Sequence, residues 1–297
     1  MKAQTDGDDF VITNVDQVKL DHEIESYDSS TGHLIAWVNV PTLSSSSYTT
    51  LYLYYGNGAA SNQENVAAVW DTNYKEVHHF VGTTAEGLDD STSNNNDVTG
   101  VTGTPIYNVA GKIGAGVEFV PNSGLTISDA AGLDGFTSAA TFETWLKTDD
   151  IGIEQGVLAK WGTGNKAWFI ELSPNAGTTK IMFYFTEDGA TSNYVFASQT
   201  LITGNWYHLA VVWQSNQVPL FYLNGNLVAT WRGDTSTTIY DGTAVQGIGQ
   251  RVPFYFNGVM DEVRISDVDR SDGWLSTQYN NQVDPSTFME VGPEETP

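Results

Sequence analysis

Residues 220–231 have the sequence LFYLNGNLVATW, in which Asn224 and Gly225 separate two apolar runs. A type I′ turn needs positive φ angles at both central residues, and Asn-Gly is the pair that adopts them most readily. The stretch therefore predicts a tight β-hairpin. Abundant Thr, Val, Gly and aromatic residues in the chain as a whole also favour strands and turns over helices.

Outward from this hairpin, short apolar runs bounded by turn residues extend from about residue 69 to residue 265. No helical spacing of apolar residues separates them, which favours an antiparallel β-sandwich of the jelly-roll type. The strand candidates include GAGVEFV (114–120), ATFETWLKT (140–148), AWFIELS (167–173), KIMFYFTED (180–188), NYVFAS (193–198), WYHLAVVWQ (206–214) and NGVMDEVRIS (257–266).

The flanking segments predict a smaller all-β unit and a tail. Four strands are expected before a polar linker, and DGWLSTQYNNQ (272–282) predicts a helical turn capped by Ser271 or Asp272, followed by a strand at STFMEVG (286–292). The predicted organisation is a β domain over residues 1–66, a jelly roll over 67–268, and a tail over 269–297 that returns to the N-terminal domain.

Charge and composition exclude several classes of function. Twelve Lys and Arg against 36 Asp and Glu give a formal net charge of −24, which repels phosphate backbones and anionic lipids. Nucleic-acid binding is therefore not expected. The chain has no Cys, which excludes disulfides and thiolate chemistry. It also has no apolar run of the roughly 18 residues that a membrane span needs, so no membrane insertion is expected.

Several of these stretches resemble laminin-G-like, concanavalin A-like jelly-roll domains of bacterial surface proteins. The resemblance rests on LDGFTSAATFETWLKT (133–148), NWYHLAVVWQ (205–214), VPLFYLNGNLVAT (218–230), FNGVMDEVRIS (256–266) and the loop DDSTSNNNDVTG (89–100). The flanks resemble a second module, the domain of unknown function DUF2341, in DGDDFVITN (6–14), HEIESYDSSTGHLIAWVNVP (22–41), TTLYLYYGN (49–57) and STQYNNQVDPSTFMEVGPEE (276–295).

The resemblance implies binding of carbohydrate or a protein ligand, frequently with calcium, in an extracellular or cell-surface protein of several domains. A glycan or a cell-surface partner is the expected ligand. Two alternatives remain at the sequence level. One is a structural spacer or display module without a small ligand, and the other is a polysaccharide-degrading enzyme of the same fold.

Paired carboxylates, which glycoside hydrolysis requires at a separation of roughly 5 to 10 Å, are not apparent. Glu23 and Glu25 share a strand face but lie outside the jelly roll, whereas Asp261 and Glu262 are adjacent and should face opposite ways. Catalysis is therefore not expected. By the same alternation, the consecutive His78 and His79 are not expected to share a metal ion.

Asp261 lies in the middle of an apolar strand. On a regular strand it shares the core-facing side with aliphatic residues, while Glu262 and Arg264 lie outward and form an ordinary surface pair. A buried carboxylate needs a cation or several N–H donors. The oxygen-rich loop at residues 89–97 is consistent in composition with either a solvated turn or a calcium site, and the resemblance favours calcium. The predicted ligands are Asp90, Asn94, Asn96 and Asp261. The alternative is that Asp261 only accepts N–H donors from that loop.

Sugar binding needs an aromatic platform beside polar groups, because a pyranose has an apolar face and a hydroxyl rim. Aromatic and basic residues in predicted loops and strand edges are the candidates, although any one of them can instead be a packing residue. The predicted ligand-binding residues are Trp161, Trp168, Tyr194, Trp231, Arg251 and Tyr255. Because the chain is acidic, neutral glycans are the expected class.

Overall fold

The computed structural model describes residues 2–85 and 88–295. The strands in this part of the chain are β1 (Val11–Asn14), β2 (His22–Asp28), β3 (His33–Val38), β4 (Leu51–Tyr54), β5 (Tyr74–His78), β6 (Val98–Thr102), β7 (Ile106–Ala110), β8 (Ala115–Phe119), β9 (Gly124–Ile127), β10 (Ala139–Thr148), β11 (Gln155–Gly162), β12 (Asn165–Asn175), β13 (Thr178–Phe185), β14 (Asn193–Gln199), β15 (Tyr207–Gln214), β16 (Leu220–Leu223), β17 (Asn226–Val228), β18 (Thr230–Trp231), β19 (Gln246–Ile248), β20 (Gln250–Arg251), β21 (Phe254–Tyr255) and β22 (Gly258–Ser266). The helices are α1 (Val66–Val69), α2 (Asp272–Val283) and α3 (Pro285–Phe288).

Two large antiparallel sheets form a sandwich. Sheet I has the strand order β17-β16-β15-β10-β22-β8-β7, with β5 also pairing with β22. Sheet II has the order β18-β14-β13-β12-β11-β19-β9-β6. The predicted all-β antiparallel sandwich is therefore confirmed. The N-terminal strands pair separately, β1 with β4 and β2 with β3.

The main core lies between the two sheets and is rich in aromatic side chains. Phe142 of sheet I packs against Trp168 and Phe183 of sheet II, with ring centroids 4.3 Å and 5.5 Å apart. Trp168 is fully buried, and its indole N–H donates to the Leu133 carbonyl at 2.8 Å. Buried aromatic contact of this kind stabilises a sandwich both by area removed from water and by ring geometry.

The hairpin predicted at Asn224 and Gly225 is present. Their φ angles are 52° and 71°, and Leu223 pairs with Asn226 across the turn. The chain after the turn does not remain in one sheet, because β17 pairs in sheet I whereas β18 pairs with β14 in sheet II. This crossing carries Trp231 to the edge of sheet II.

The strand β22 departs from the regular alternation that its sequence predicts. Asp261 pairs with Trp145 and Arg264 with Glu143, so the two strands lose register by one residue, and Glu262 has a φ angle of 52°. This β-bulge reverses the facing of side chains on one side of it. Met260, Val263 and Ile265 line the core, and the placement of Asp261 among the core aliphatics is therefore wrong.

The tail begins with a longer helix than predicted. Ser271 caps α2 by accepting from the Trp274 N–H at 3.2 Å, and Leu275 packs on the outer face of sheet I against Ala210, Val212 and Tyr222. The strand predicted at residues 286–292 is wrong. Asp284 accepts from the Ser286 N–H and Pro285 occupies the first turn, which starts the short helix α3 instead.

Candidate functional site

The outer face of sheet II carries two rows of side chains that run across its strands. Alternate residues of these strands face the core, and the intervening ones face outward. The first row, which we call the aromatic row, consists of Trp161, Phe169, Tyr184 and Tyr194, and the cross-strand register pairs Phe169 with Tyr184 and Tyr184 with Tyr194. The second row pairs Glu171, Met182, Phe196 and Trp231.

The rings of the aromatic row form a continuous stack. Phe169 and Tyr184 are stacked with centroids 4.2 Å apart, and Tyr184 and Tyr194 are stacked at 5.1 Å. Trp161 closes one end, with its ring at 83° to that of Phe169 and a centroid distance of 4.7 Å. Rings stacked along the sheet present their edges outward, so the interior members support the face and are not platforms for a flat ligand.

The other end of the row is closed by charged groups. The Arg232 guanidinium lies 3.9 Å from the Tyr194 ring centroid and donates to Asp234 at 2.8 Å. Asp234 also accepts from the Tyr194 backbone N–H at 3.1 Å. In the neighbouring row, Trp231 pairs with Phe196 and leaves 57% of its surface exposed. At this end of the row, the exposed indole of Trp231 therefore lies next to polar groups that are held in place by ion pairing and hydrogen bonding.

Arg251 covers the middle of the face. Its guanidinium lies 4.3 Å from the rings of Phe169 and Phe254, and two of its nitrogens donate to Glu171. Burial raises the pKa of Glu171, which Arg251 partly offsets. Glu171 is the only carboxylate that strands β11–β14 project outward, and it is already paired. The pair of free carboxylates that a retaining or inverting glycosidase uses is therefore not present on these described strands.

The structure brings together most of the sequence-predicted ligand-binding residues. Trp161, Tyr194, Trp231 and Arg251 all lie on the outer face of sheet II. Tyr255 is half-buried in the adjacent β20–β21 hairpin, opposite Gln250. Trp168 does not join them, because its position in β12 turns it into the core.

Sequence reasoning missed the two residues that connect the others, Phe169 and Tyr184. The runs AWFIELS and KIMFYFTED are apolar at nearly every position, so they give no alternation that would mark an outer face. Only the register between β12, β13 and β14 shows that these two rings meet.

Asp261 obtains its partners from a loop that was not predicted. Its carboxylate accepts from the Lys112 and Ile113 backbone N–H groups, both at 2.8 Å, and from the Glu262 N–H at 2.8 Å. Burial and the Glu262 carboxylate raise the pKa of Asp261, which the Ile113 N–H partly offsets. Two of these three donors come from the turn between β7 and β8 and the third from β22, and none comes from residues 89–97.

Asp90 is satisfied by its own loop and by β5. It accepts from the backbone N–H groups of Val77, Thr92 and Asn96 at 2.9–3.0 Å and from the Thr92 hydroxyl. The side-chain amides of Asn94 and Asn96 donate to the Lys75 carbonyl. Asp90 and Asp261 thus belong to separate networks that share no hydrogen-bond partner among the described residues. Calcium at these four residues stays a prediction.

A second cluster of charged groups lies where the N-terminal strands pack on sheet I. The Glu262 carboxylate contacts His79 Nδ1 at 2.6 Å and Arg264 on its other oxygen, and both Glu262 and Arg264 are almost fully buried. Glu262 and Arg264 form the expected ion pair, but its expected place on the surface is wrong, because the N-terminal segment covers this face of sheet I. We call Glu23, Glu25, His79, Glu262 and Arg264 the junction cluster.

Tryptophans complete the junction cluster. Trp37 donates to Glu25 and Trp70 to Glu23, each at 2.9 Å, and the Arg264 guanidinium lies 4.6 Å and 4.9 Å from their rings. The His78 ring instead stacks on Phe80 on the core side, so the two histidines do face opposite ways. Cation–π contacts and N–H donors of this kind compensate charge that is removed from water.

The pKa values in the junction cluster are strongly perturbed. Burial disfavours the charged form of His79, but the Glu262 and Glu23 carboxylates outweigh it and raise the pKa to about 10. Burial, with the nearby Glu262 carboxylate, raises the pKa of Glu25 to about 7. Glu25, His79 and Glu262 are also grouped closely enough for one metal ion, but the proton on His79 and the Arg264 guanidinium already neutralise Glu262.

Two packed antiparallel sheets, one with a covered outer face and one with an open aromatic face, define the class of the protein: a two-layered β-sandwich. Residues 121–276 match the model of the concanavalin A-like lectin/glucanases superfamily, which is more than half of the chain. The chain belongs to this superfamily. Residues 6–96 match the family model of the domain of unknown function DUF2341, as the N-terminal motifs predict.

Solved structures share the sandwich fold at low identity. Domain 4 of AbnA, a GH43 extracellular arabinanase from Geobacillus stearothermophilus, in complex with arabinotriose, is 20% identical with a TM-score of 0.52, over 69% of this chain and 97% of that chain. The binding domain of botulinum neurotoxin DC, in complex with rat synaptotagmin II, is 12% identical with a TM-score of 0.56, over 71% of this chain and 52% of that chain.

The binding domain of Paraclostridial mosquitocidal protein 1 is 16% identical with a TM-score of 0.54, over 70% of this chain and 52% of that chain. At these identities the likeness establishes the fold alone. A search of curated proteins found no match. No helix in the described part of the chain is long and apolar enough to cross a membrane.

Proposed function

We propose that the protein is a non-catalytic carbohydrate-binding module that holds a neutral glycan on the outer face of sheet II. The observation that carries the proposal is the combination of the exposed Trp231 indole with the Tyr194, Arg232 and Asp234 group beside it. An indole face suits the apolar side of a sugar ring, and the fixed charged atoms suit its hydroxyl groups.

Trp161 provides a second contact at the opposite end of the aromatic row. Its ring lies across the stack, with the Lys166 ammonium 5.4 Å from its centroid. The stack between the two ends spans β11 to β14, and neighbouring strands lie about 4.8 Å apart. A glycan that extends across the strands would therefore meet Trp161 and Trp231 with different sugar units.

The proposal also includes the location of the protein. Membership in a superfamily of lectins and glucanases and the strongly acidic, cysteine-free composition support an extracellular or cell-surface module within a larger protein. The arabinotriose bound to the arabinanase domain supports carbohydrate as the ligand class. We retain calcium as a proposal, and the hydrogen bonds at Asp90 and Asp261 give it no added support.

The proposal is tested by screening the purified chain on a glycan array, with calcium and with EDTA, and then measuring the best ligand by calorimetry. Trp231→Ala should weaken binding by at least about tenfold, which corresponds to ~1.4 kcal/mol. Trp274→Ala is the matched control, because Trp274 is 44% exposed but lies on α2 at sheet I. Equal losses in the two variants would contradict the proposed site.

A structural display module is the second candidate, and the junction cluster favours it. Five buried charged groups and two tryptophans fix the N-terminal strands on sheet I, as a rigid spacer requires. Such a spacer binds no glycan. An array without signal, both with calcium and with EDTA, would favour this function over carbohydrate binding.

A further inference from the structure

Three fully buried polar side chains meet between the two sheets. Glu76 and His78 are alternate residues of β5, so both face the same side of sheet I, and Gln246 begins β19 of sheet II. The Gln246 Nε2 group donates to Glu76 Oε2 at 2.6 Å, although the two residues are 170 positions apart in the chain. We call these three residues the inter-sheet polar cluster.

The inter-sheet polar cluster keeps three atoms without a hydrogen-bond partner among the described residues. They are Glu76 Oε1, His78 Nε2 and Gln246 Oε1. A buried acceptor that is left unpaired costs free energy, so such atoms are rare and ordinarily have a water molecule or an ion as their partner. Because the three atoms belong to one connected group of side chains, one bound species can satisfy all of them.

The orientation of the His78 ring shows that this species is positively charged. His78 Nδ1 lies 3.2 Å from the Asp89 carbonyl, which can only accept a hydrogen bond, so Nδ1 carries the hydrogen. Burial lowers the pKa of His78, which keeps the ring neutral and leaves Nε2 as an acceptor. Nε2 faces Glu76 Oε1 at 3.4 Å. Two acceptors repel each other unless a proton or a metal ion lies between them.

The distance between these two atoms separates a proton from a metal ion. A shared proton makes a hydrogen bond, which brings nitrogen and oxygen to about 2.7–3.2 Å. Zinc binds an imidazole nitrogen and a carboxylate oxygen at about 2.0–2.2 Å, and its tetrahedral angle then sets the two ligand atoms about 3.4 Å apart. The observed separation of 3.4 Å matches the second arrangement.

We propose that Glu76 Oε1, His78 Nε2 and Gln246 Oε1 bind one zinc ion between the sheets, with a water molecule in the fourth tetrahedral position. The Nδ1–H contact to the Asp89 carbonyl then holds the imidazole in the orientation and tautomer that a metal ligand needs. The Gln246 N–H group orients the carboxylate in the same way by holding Glu76 Oε2. An imidazole ligand favours zinc over magnesium, which prefers oxygen ligands alone.

A divalent cation also balances the charge around Glu76. No Lys or Arg in the described part of the chain pairs with this carboxylate, and Asp90 adds a second negative charge nearby. Burial and the Asp90 carboxylate raise the pKa of Glu76. Zinc supplies the positive charge that keeps Glu76 ionised, and it needs no charge on His78, because a histidine ligand binds in its neutral form.

The proposed ion connects two parts of the chain that match different families. β5 lies in residues 6–96, which match DUF2341, and β19 lies in residues 121–276, which match the concanavalin A-like superfamily. The three ligands come together only in the folded sandwich. The binding free energy of zinc therefore adds to the free energy of unfolding.

The test measures the zinc that the whole chain retains. Because the inter-sheet polar cluster is buried, the ion enters during folding, so the chain is expressed without a histidine tag in medium supplemented with zinc and is then dialysed. Elemental analysis should find about one zinc ion per chain. Incubation with a strong chelator close to the melting temperature should remove the ion and lower the melting temperature, and magnesium should not restore it.

Glu76→Gln and His78→Phe each remove one ligand. The first keeps the size of the side chain, and the second keeps an aromatic ring against Phe80. Each should lower the retained zinc by at least about tenfold. His33→Gln is the matched control, because His33 is an exposed histidine in β3, and this variant should retain zinc as wild type does. Circular dichroism reports whether each variant is folded.

Two results would overturn the proposal. One is a wild-type chain that retains no zinc, and the other is that Glu76→Gln and His78→Phe retain as much zinc as His33→Gln. If the two ligand variants do not fold, wild type grown with cobalt in place of zinc decides. Four-coordinate cobalt(II) absorbs visible light much more strongly than six-coordinate cobalt(II), so strong bands are expected and weak bands would overturn the proposal.

Discussion

The β-bulge at Glu262 determines where the Asp261 side chain lies. With a regular strand, Asp261 would enter the sandwich core. The bulge instead places it on the outer side of sheet I, beside Glu262 and Arg264 and under the N-terminal strands. A carboxylate that would have been costly in an apolar core thus obtains three backbone N–H donors.

Titration of Glu25 should make the free energy of unfolding depend on pH. Its pKa is raised from 4.5 to about 7 in the folded protein, mainly by burial, so the folded state holds a proton that the unfolded state has released. The free energy of unfolding should therefore fall as pH rises from about 4.5 to about 7. The contribution of His79, whose pKa is raised to about 10, is lost mainly above this window.

The substitution Glu25→Gln should remove the part of this decrease in the free energy of unfolding that Glu25 causes. The amide oxygen can still accept from Trp37, but nothing ionises at this position. Between pH 4.5 and 7, the free energy of unfolding of the variant should rise by on the order of 2 kcal/mol relative to that of wild type. Denaturant unfolding at each pH measures this difference. Glu290→Gln, in the exposed tail, should follow wild type. Parallel curves for wild type and Glu25→Gln would show that Glu25 does not set the dependence.

At the scale of elements, one buried lysine of β11, Lys160, contacts two loops. One loop contains Asp129 and Asp134, and the other contains Ala244. The Lys160 ammonium is fully buried and contacts Asp129, the Asp134 carboxylate at 3.2 Å and the Ala244 carbonyl at 2.8 Å. Burial raises the pKa of Asp134 to about 6, although Lys160 opposes it. Carboxylate and carbonyl oxygens are also the ligands of calcium, so the lysine occupies a position that a metal ion would suit.

Lys160→Met should therefore have two effects. It should lower the free energy of unfolding by about 3 kcal/mol in EDTA, because it leaves buried carboxylate charge uncompensated. Millimolar calcium should then raise the melting temperature of the variant more than that of wild type. Lys166→Met, at a half-exposed lysine near Trp161, is the control and should show neither effect. If calcium raised the melting temperatures of Lys160→Met and wild type equally, the claim that Lys160 occupies a position suited to a metal ion would be contradicted.

Most strands and helices were predictable from the sequence. The features that were not predicted have local causes. The hairpin at Asn224 and Gly225 follows from its turn residues, and α2 follows from its Ser271 cap. The bulge in β22 was not predictable, because nothing in MDEVRIS marks a register shift that depends on pairing with β10. The helix α3 replaced a predicted strand because Asp284 and Pro285 start a helical turn.

At the scale of the whole molecule, the two outer faces of the sandwich differ in how far they are covered. The outer face of sheet I is covered by the N-terminal strands and by α2, where Tyr279 stacks on Trp145 with centroids 5.6 Å apart. β5 pairs directly with β22, so the region that matches DUF2341 contributes a strand to the sandwich sheet. The outer face of sheet II remains open, and it is the surface on which we propose that the ligand binds.

The candidate site was predictable only in part. Trp161, Tyr194, Trp231 and Arg251 were found as aromatic and basic residues near turns. Their assembly into one face depends on the crossing of β18 to sheet II and on the register of three strands, both of which are properties of the folded chain. Trp168 is an aromatic residue in the same predicted region as Trp161 but belongs to the core, because alternation along β12 turns it inward and its neighbour Phe169 outward.

The most direct test of the central claim, that sheet II binds a glycan, is to follow the indole N–H signals of the nine tryptophans by NMR during titration with the best array ligand. The Trp161 and Trp231 signals should shift on binding, while those of Trp168 and Trp213, buried in the core, should not. Shifts confined to Trp274 or Trp206, with Trp161 and Trp231 unchanged, would place the ligand elsewhere and contradict the claim.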